Sequence, residues 1–327
     1  MNPQPAIYSI PRENRPISRR FVLFSVGLFA VSFLASAATA PGSSPRGSVD
    51  LTKTPSIAHG SEKLVWSDEF NGQSARSAPD PTKWVYDTGY GHWGNRELES
   101  YCAYGSSESP CSAGKPNIYV GRDGYLHIVV RRSTESHYTS ARIKTEGLAS
   151  FQYGRMEARI RIPAGQGLWP AFWMLGDSIQ SVGWPKCGEF DIMENIGKEP
   201  AVIHGSIHGQ GFIGTSMGLP YTAPGKLPFS QGFHTFGLIW SPGTVQYYVD
   251  SPSNVYATFT PSSLPAGAVW PFDSGNFFFI LNLAIGGDRP GAPNAATHFP
   301  AEMLVDYVRV WQRTSSGLGE HTEKNGN

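Results

Sequence analysis

The sequence predicts an all-β fold, a sandwich of two antiparallel sheets arranged as a jelly roll, and three observations carry that prediction. Among 327 residues there are 37 Gly and 26 Pro, with 13% aromatic and only 16% charged residues. That bias favours turns and aromatic packing and is too apolar for disorder. Short apolar or alternating runs recur between turn signals. No segment carries a sustained helical stripe, and no internal repeat is present. One sandwich can use about 250 residues, so the length does not demand two domains.

Residues 1–40 read as an export signal. A basic stretch ending in Ser18-Arg19-Arg20 precedes a 15-residue apolar run, Phe21 to Ala35, and then the small residues Ala35-Ser36-Ala37-Ala38-Thr39-Ala40. The run is short for a membrane span, and small-x-small before position 38 or 41 suits signal peptidase. The paired arginines suit twin-arginine export of a folded protein, with an uncleaved anchor as the alternative. Export implies a secreted or periplasmic protein, without lasting membrane association once the signal is removed. Residues 41–62 are rich in Pro, Ser and Gly and read as a flexible linker.

The catalytic domain is expected over 63–313. Its strand candidates are Leu126–Arg131, Gly154–Ile162, Pro170–Leu175, Glu189–Glu194, Val202–His208, His234–Trp240, Val245–Asp250, Phe277–Ala284 and Met303–Gln312. Arg155 to Ile162 alternates polar and apolar for eight residues, the pattern of a strand with one wet face. Residues 314–327 form a polar tail. Lys plus Arg and Asp plus Glu each number 26, so the formal charge is zero. The first 40 residues hold four arginines against one glutamate, which leaves the rest slightly acidic. Nucleic acid is therefore not expected as a partner.

Cys102 and Cys111 can close a small loop across Ala103–Pro110 in an oxidising compartment. Cys187 is left over and reads as a buried thiol.

The segment most informative about chemistry is Glu189-Phe190-Asp191-Ile192-Met193-Glu194. Strand alternation puts Glu189 and Asp191 on one face and Phe190 and Ile192 on the other. Strict alternation would send Glu194 to the core side; one extra residue near Ile192-Met193, a β-bulge, returns it. Two glutamates flanking an aspartate can break a glycosidic bond, and retention requires the carboxyl groups roughly 5–5.5 Å apart. Three crowded carboxylates cannot all ionise cheaply, so at least one keeps its proton near neutral pH. Read alone, the pattern also fits a solvated acidic strand or a metal site.

Three tryptophans lie close in sequence to this strand. Trp169 and Trp184 abut prolines at turns and read as exposed walls for sugar rings, whereas Trp173, inside an apolar run, reads as the most buried. Trp93-Gly94-Asn95-Arg96-Glu97 offers hydrogen-bonding groups for hydroxyls. His208 shares a strand face with Ser206 and His204, as a cleft residue or a satisfied core histidine.

With these residues the chain resembles glycoside hydrolase family 16, in particular its laminarinase-like endo-β-1,3-glucanases. The resemblance rests on Gly188–Asn195, Trp93–Leu98, Tyr153–Arg159, Trp169–Leu175, His204–His208 and Met303–Val310, and spans about residues 63–313. It implies a β-jelly roll with a substrate cleft on a concave sheet. It also implies Glu189 as nucleophile, Glu194 as acid/base and Asp191 assisting, with Trp93, Asn95, Arg96, Glu97, Arg155, Trp169, Trp173, Trp184 and His208 against a β-glucan polysaccharide. The bulged spacing resembles the laminarinase branch, which points to laminarin-like β-1,3-glucan, and mixed β-1,3/1,4-glucan as a second substrate. No cofactor is implied for catalysis. A structural Ca²⁺ is implied at the carbonyls of Glu69 and Gly124 with Asp306. The chain is expected to be a monomer. One departure is Asp288-Arg289-Pro290, where relatives commonly carry a Trp. A transglycosylase remodelling β-glucan would use the same residues, and a non-catalytic glucan-binding protein would lack the two glutamates.

Overall fold

The computed structural model describes residues 62–313, apart from Gln73, Glu135 and Ser136 and the side chains of Thr215 and Ser216. The expected export signal, the linker up to residue 61 and the tail at 314–327 lie outside the described residues. Among the described residues, no helix is long and apolar enough to cross a membrane.

The described residues form two sheets. One has seven strands, in the spatial order Gly218–Thr222, Val202–His208, Glu189–Glu194, Leu168–Gly176, Phe277–Ile285, Arg142–Lys144 and Val85–Asp87. All its pairings are antiparallel. The other has ten strands, along Val255–Phe259, Thr244–Val249, His234–Ser241, Gly154–Arg161, Ala301–Arg313, Leu126–Arg132, Tyr138–Ser140 and Glu99–Tyr101. Glu62–Asp68 pairs with Ala301–Arg313, and Ile118–Val120 with Leu126–Arg132. Glu99–Tyr101 runs parallel to Tyr138–Ser140, a departure from the uniformly antiparallel expectation.

The core between the sheets follows from alternation. Phe172, Met174, Phe190, Ile192, Met193, Phe277, Phe279 and Leu281 come from the seven-stranded sheet; Ile128, Met156, Ala158, Ile160, Phe236, Leu238, Trp240 and Val305 come from the other. Burying such a side chain contributes roughly 1.5–3 kcal/mol, so each strand is pinned in phase by its apolar face. A smaller apolar cluster, Leu175, Ile179, Cys187, Phe278 and Ile280, lies under Trp173 and Trp184 near the start of the Glu189 strand. Two glycines serve the strand directly. Gly188 has φ +81° and leads into Glu189. Gly205, opposite the irregularity described below, leaves room for two rings: an added Cβ would lie 2.4 Å from the Tyr256 hydroxyl and 2.7 Å from the Tyr247 ring.

Candidate active site

The Glu189–Glu194 strand lies in the middle of the seven-stranded sheet, and its two ladders locate the extra residue. Against the preceding neighbour, Asp191 pairs with Trp173, Met193 with Phe172 and Glu194 with Ala171, so Ile192 has no partner. Against the following neighbour, Asp191 pairs with Ser206 and Glu194 with His204, again one residue in excess. Phe190, Ile192 and Met193 are all buried in the core. Glu189, Asp191 and Glu194 therefore share the other face. Four residues of partner strand separate the positions of Glu189 and Glu194, Leu175 to Ala171 on one side and His208 to His204 on the other. That is about 13 Å between their Cα atoms at ~3.3 Å per residue, a gap two glutamates leaning together can narrow.

Each carboxylate has its own donor. Trp184 Nε1 donates to Glu189 Oε2 at 2.5 Å. His208 Nε2 lies 2.8 Å from Asp191 Oδ2. Trp169 Nε1 donates to Glu194 Oε1 at 2.9 Å, and Arg289 Nη1 donates to Glu194 Oε2. Asp191 and Glu194 are each only 5% exposed.

The electrostatics are those of a crowded acidic cluster. Burial first, and then the Asp191 charge, push the Glu189 carboxyl up to about 8. Burial and the Glu194 charge likewise raise Asp191. Burial opposes a charge on His208, but the Asp191 carboxylate and its hydrogen bond outweigh it, raising the imidazole to about 9. The Glu189–Asp191 pair thus holds a shared proton near neutral pH, and His208 is an imidazolium beside it. Ligand atoms of Glu189, Asp191 and His208 lie within 4.8 Å of one another, a spacing a metal ion could use. A cation there would have to displace the imidazole proton, because the two compete for the same lone pair. Burial also pushes the Cys187 thiol up to about 12, which leaves it inert.

The other expected residues divide. Trp173 and Trp184 are half-buried, whereas Trp169 is 9% exposed, so the expected order of Trp169 and Trp173 is reversed. The reason is phase: positions 169, 171 and 173 share the face that carries the carboxylates. Trp169 is covered because its indole turns onto Glu194. Trp173 Nε1 donates to Asn282 Oδ1 at 2.8 Å; Asn282 Nδ2 donates to the Tyr101 hydroxyl, which donates to Glu97 Oε2 at 3.2 Å. Asn95 Nδ2 donates to Glu97 Oε1 at 3.1 Å. The Arg142 guanidinium lies 5.2 Å from the Trp93 ring centroid and 4.7 Å from that of Trp173. Trp93, Asn95 and Glu97 are in this way tied to the site face. Arg96 points outward, its side chain 73% exposed and paired with Asp288.

Arg155 does not belong to the site. It lies on the ten-stranded sheet, where its Nε meets Glu62 at 2.9 Å, its Nη1 meets Glu157 at 2.6 Å, and it stacks 3.7 Å from the Trp311 ring centroid. The alternation that marks this strand reflects an outer face, not a cleft.

The expected Ca²⁺ site joins the backbone carbonyls of Glu69 and Gly124 with the Asp306 carboxylate, its one side-chain ligand. Asp306 Oδ2 accepts a hydrogen bond from Arg159 Nη1 at 2.6 Å. The guanidinium beside that carboxylate opposes a divalent cation there.

Cys102 and Cys111 are joined, with Cα atoms 5.7 Å apart, on the segment that follows Glu97–Tyr101. Arg289 and Arg142 were not anticipated as site residues. Arg142 sits in an alternating run too short to assign, and Arg289 reaches Glu194 across 95 positions of sequence.

The sequence model described as "Glycosyl hydrolases family 16" matches residues 106–279, more than half of the chain. The chain belongs to glycosyl hydrolase family 16. It is 39% identical over 262 residues to a beta-glucanase from Rhodothermus marinus, covering 76% of this chain and 85% of that one. It is 35% identical over 294 residues to glucan endo-1,3-beta-glucosidase A1 from Niallia circulans, covering 81% of this chain but only 40% of that longer protein. The solved endo-beta-1,3-glucanase from Pyrococcus furiosus superposes with a TM-score of 0.68 at 42% identity, over 79% of this chain and 97% of that chain. The two-sheet architecture is accordingly the family 16 jelly roll, and the chain is a glycoside hydrolase.

Proposed function

We propose that this family 16 chain is an exported, retaining endo-β-glucanase that cuts internal β-1,3 bonds of laminarin-like glucan, with mixed β-1,3/1,4-glucan as a second substrate. The observation that carries the reading is the Ile192 bulge, which keeps Glu189, Asp191 and Glu194 on one face. Each of the two outer carboxylates also accepts an indole N–H, from Trp184 and Trp169. The relatives named for β-glucan cleavage support the substrate class.

In this reading Glu194 protonates the glycosidic oxygen while Glu189 attacks the anomeric carbon, giving a glycosyl-enzyme; Glu194 then takes a proton from water, which releases the sugar with its configuration retained. Asp191 takes up the proton it shares with Glu189, which frees Glu189 as a carboxylate, and His208 offsets the negative charge of the cluster. The half-buried faces of Trp173 and Trp184 supply stacking surface for glucosyl rings. No cofactor enters, because nucleophile, acid and base are all supplied by the carboxylates. The basic and apolar segment within residues 1–40 supports export to the periplasm or medium, of a monomer whose catalytic domain begins near residue 63.

Glu189→Gln and Glu194→Gln test the assignment through reducing-end release from laminarin. Each variant is expected to lose about 10²-fold or more in turnover and to melt within a few degrees of the wild type. Near-normal activity in either would overturn it.

A further inference from the structure

We propose that Arg289 is a positioning residue for the proton donor, acting through Glu194; the inference rests on the acid/base role given to Glu194 above. Of the three clustered carboxylates, Glu194 alone accepts from an arginine: Trp184 serves Glu189, and His208 serves Asp191. Its oxygens are divided between two donors, Oε1 to Trp169 and Oε2 to Arg289, so neither oxygen is left to rotate freely. The Arg289 side chain is 26% exposed and that of Glu194 is 7% exposed.

The loop that presents Arg289 is fastened on both sides. Gly286 N donates to Gly167 O at 2.8 Å, and Asp288 N donates to Asn95 O at 2.8 Å. Gln166 Nε2 donates to Pro290 O at 2.6 Å, and the Asp288 carboxylate accepts from Arg96. The guanidinium is therefore delivered by a braced backbone, not by a side chain that happens to fall there.

The chemistry gives the contact a direction. In the first step the C1–O bond breaks, its electron pair stays on the glycosidic oxygen, and that oxygen takes the Glu194 proton as Glu189 bonds to C1. Glu194 is left as a carboxylate. A guanidinium N–H bonds more strongly to a carboxylate than to a neutral carboxyl group, so the Arg289 contact strengthens as the proton leaves. At pH values where Glu194 carries its proton, the benefit falls on substrates whose leaving oxygen needs that proton and is absent for those whose leaving group departs as a stable anion.

Arg289→Met and Arg289→Lys in the full chain test this on two substrates, laminarin and 2,4-dinitrophenyl β-laminaribioside, whose phenolate needs no proton. For Arg289→Met, kcat/KM on laminarin is expected to fall about tenfold to a hundredfold, with the aryl glycoside within roughly threefold of wild type. Arg289→Lys should recover part of the laminarin loss. Equal losses on both substrates would show a merely structural role and overturn the proposal. So would an unchanged rate on laminarin, or a lysine variant no better than the methionine one. The aryl glycoside also separates this inference from the reading beneath it: its turnover must vanish in Glu189→Gln if the double displacement is right, whatever Arg289 does.

Discussion

Deleting Ile192 isolates the role of the bulge. With that residue gone, Asp191, Met193 and Glu194 would face Trp173, Phe172 and Ala171 in unbroken register, and Ser206, Gly205 and His204 on the other side. Strict alternation would then still put Glu189, Asp191 and Glu194 on one face and Phe190 and Met193 in the core. The loss is a side chain only 1% exposed, which costs about 2–5 kcal/mol. Restored ladder bonds return about 1 kcal/mol each. A net loss of roughly 1–4 kcal/mol lowers Tm by about 2–16 °C in a domain of this size. Activity should fall by less than about 10²-fold, against the 10²–10⁴-fold expected for removing general acid–base catalysis. Inserting one alanine between Asp191 and Ile192 also restores the parity of alternation, but in an unbulged strand it carries Glu194 two residues, about 6.6 Å, further from Glu189 and should abolish hydrolysis. Calorimetry and reducing-end release from laminarin measure both effects. A deletion variant that is folded yet as inactive as Glu194→Gln would refute the argument that the extra residue acts by setting the face.

Three further predictions concern stability. Burial, and then the Glu97 charge, push the Glu99 carboxyl well above its ordinary 4.5. The unfolded chain releases that proton near 4.5 and the folded chain only at higher pH, so stability is full below about 4.5 and declines as pH rises toward the folded value. Glu99→Gln should therefore raise Tm relative to wild type more at pH 8 than at pH 4, and an equal difference at both would contradict the sign. The Cys102–Cys111 crosslink spans nine positions, which the chain-entropy estimate puts at about 2.5–3 kcal/mol. Replacing both cysteines by alanine should lower Tm by roughly 5–12 °C, and an unchanged melt would show that the loop is ordered without the bond. A chelator should leave Tm unchanged, since Asp306, the one side-chain ligand of the expected site, is held by Arg159. A cation present at a hundred times its Kd would add about 2.7 kcal/mol, so a drop of several degrees would show that Asp306 and the Glu69 and Gly124 carbonyls hold one.

The long strands were legible because their apolar faces repeat for six residues or more: Gly154–Arg161, Glu189–Glu194 and Phe277–Ile285 all lie where alternation or apolar runs place them. Val85–Asp87, Ile118–Val120 and Arg142–Lys144 were not, since three residues carry no period to read. The carboxylate cluster was legible for the same local reason, as all three members sit on one strand. Contacts between distant segments left no such trace. Arg155 alternates as a cleft residue would, but the face it occupies belongs to the other sheet. Trp169 and Trp173 were ordered by flanking residues, but both lie on the face of Ala171, and what covers Trp169 is its contact with Glu194, 25 positions away. Arg289 owes its place to a loop fastened to Gly167 and Asn95, and nothing near it in sequence announces Glu194.

The central claim is a double displacement by Glu189 and Glu194, and the configuration of the first-formed product tests it most directly. Proton NMR during the first minutes of laminarin hydrolysis, before mutarotation, should show the β-anomer accumulating ahead of the α-anomer. First appearance of the α-anomer would contradict the account, because it would require water to attack in place of Glu189.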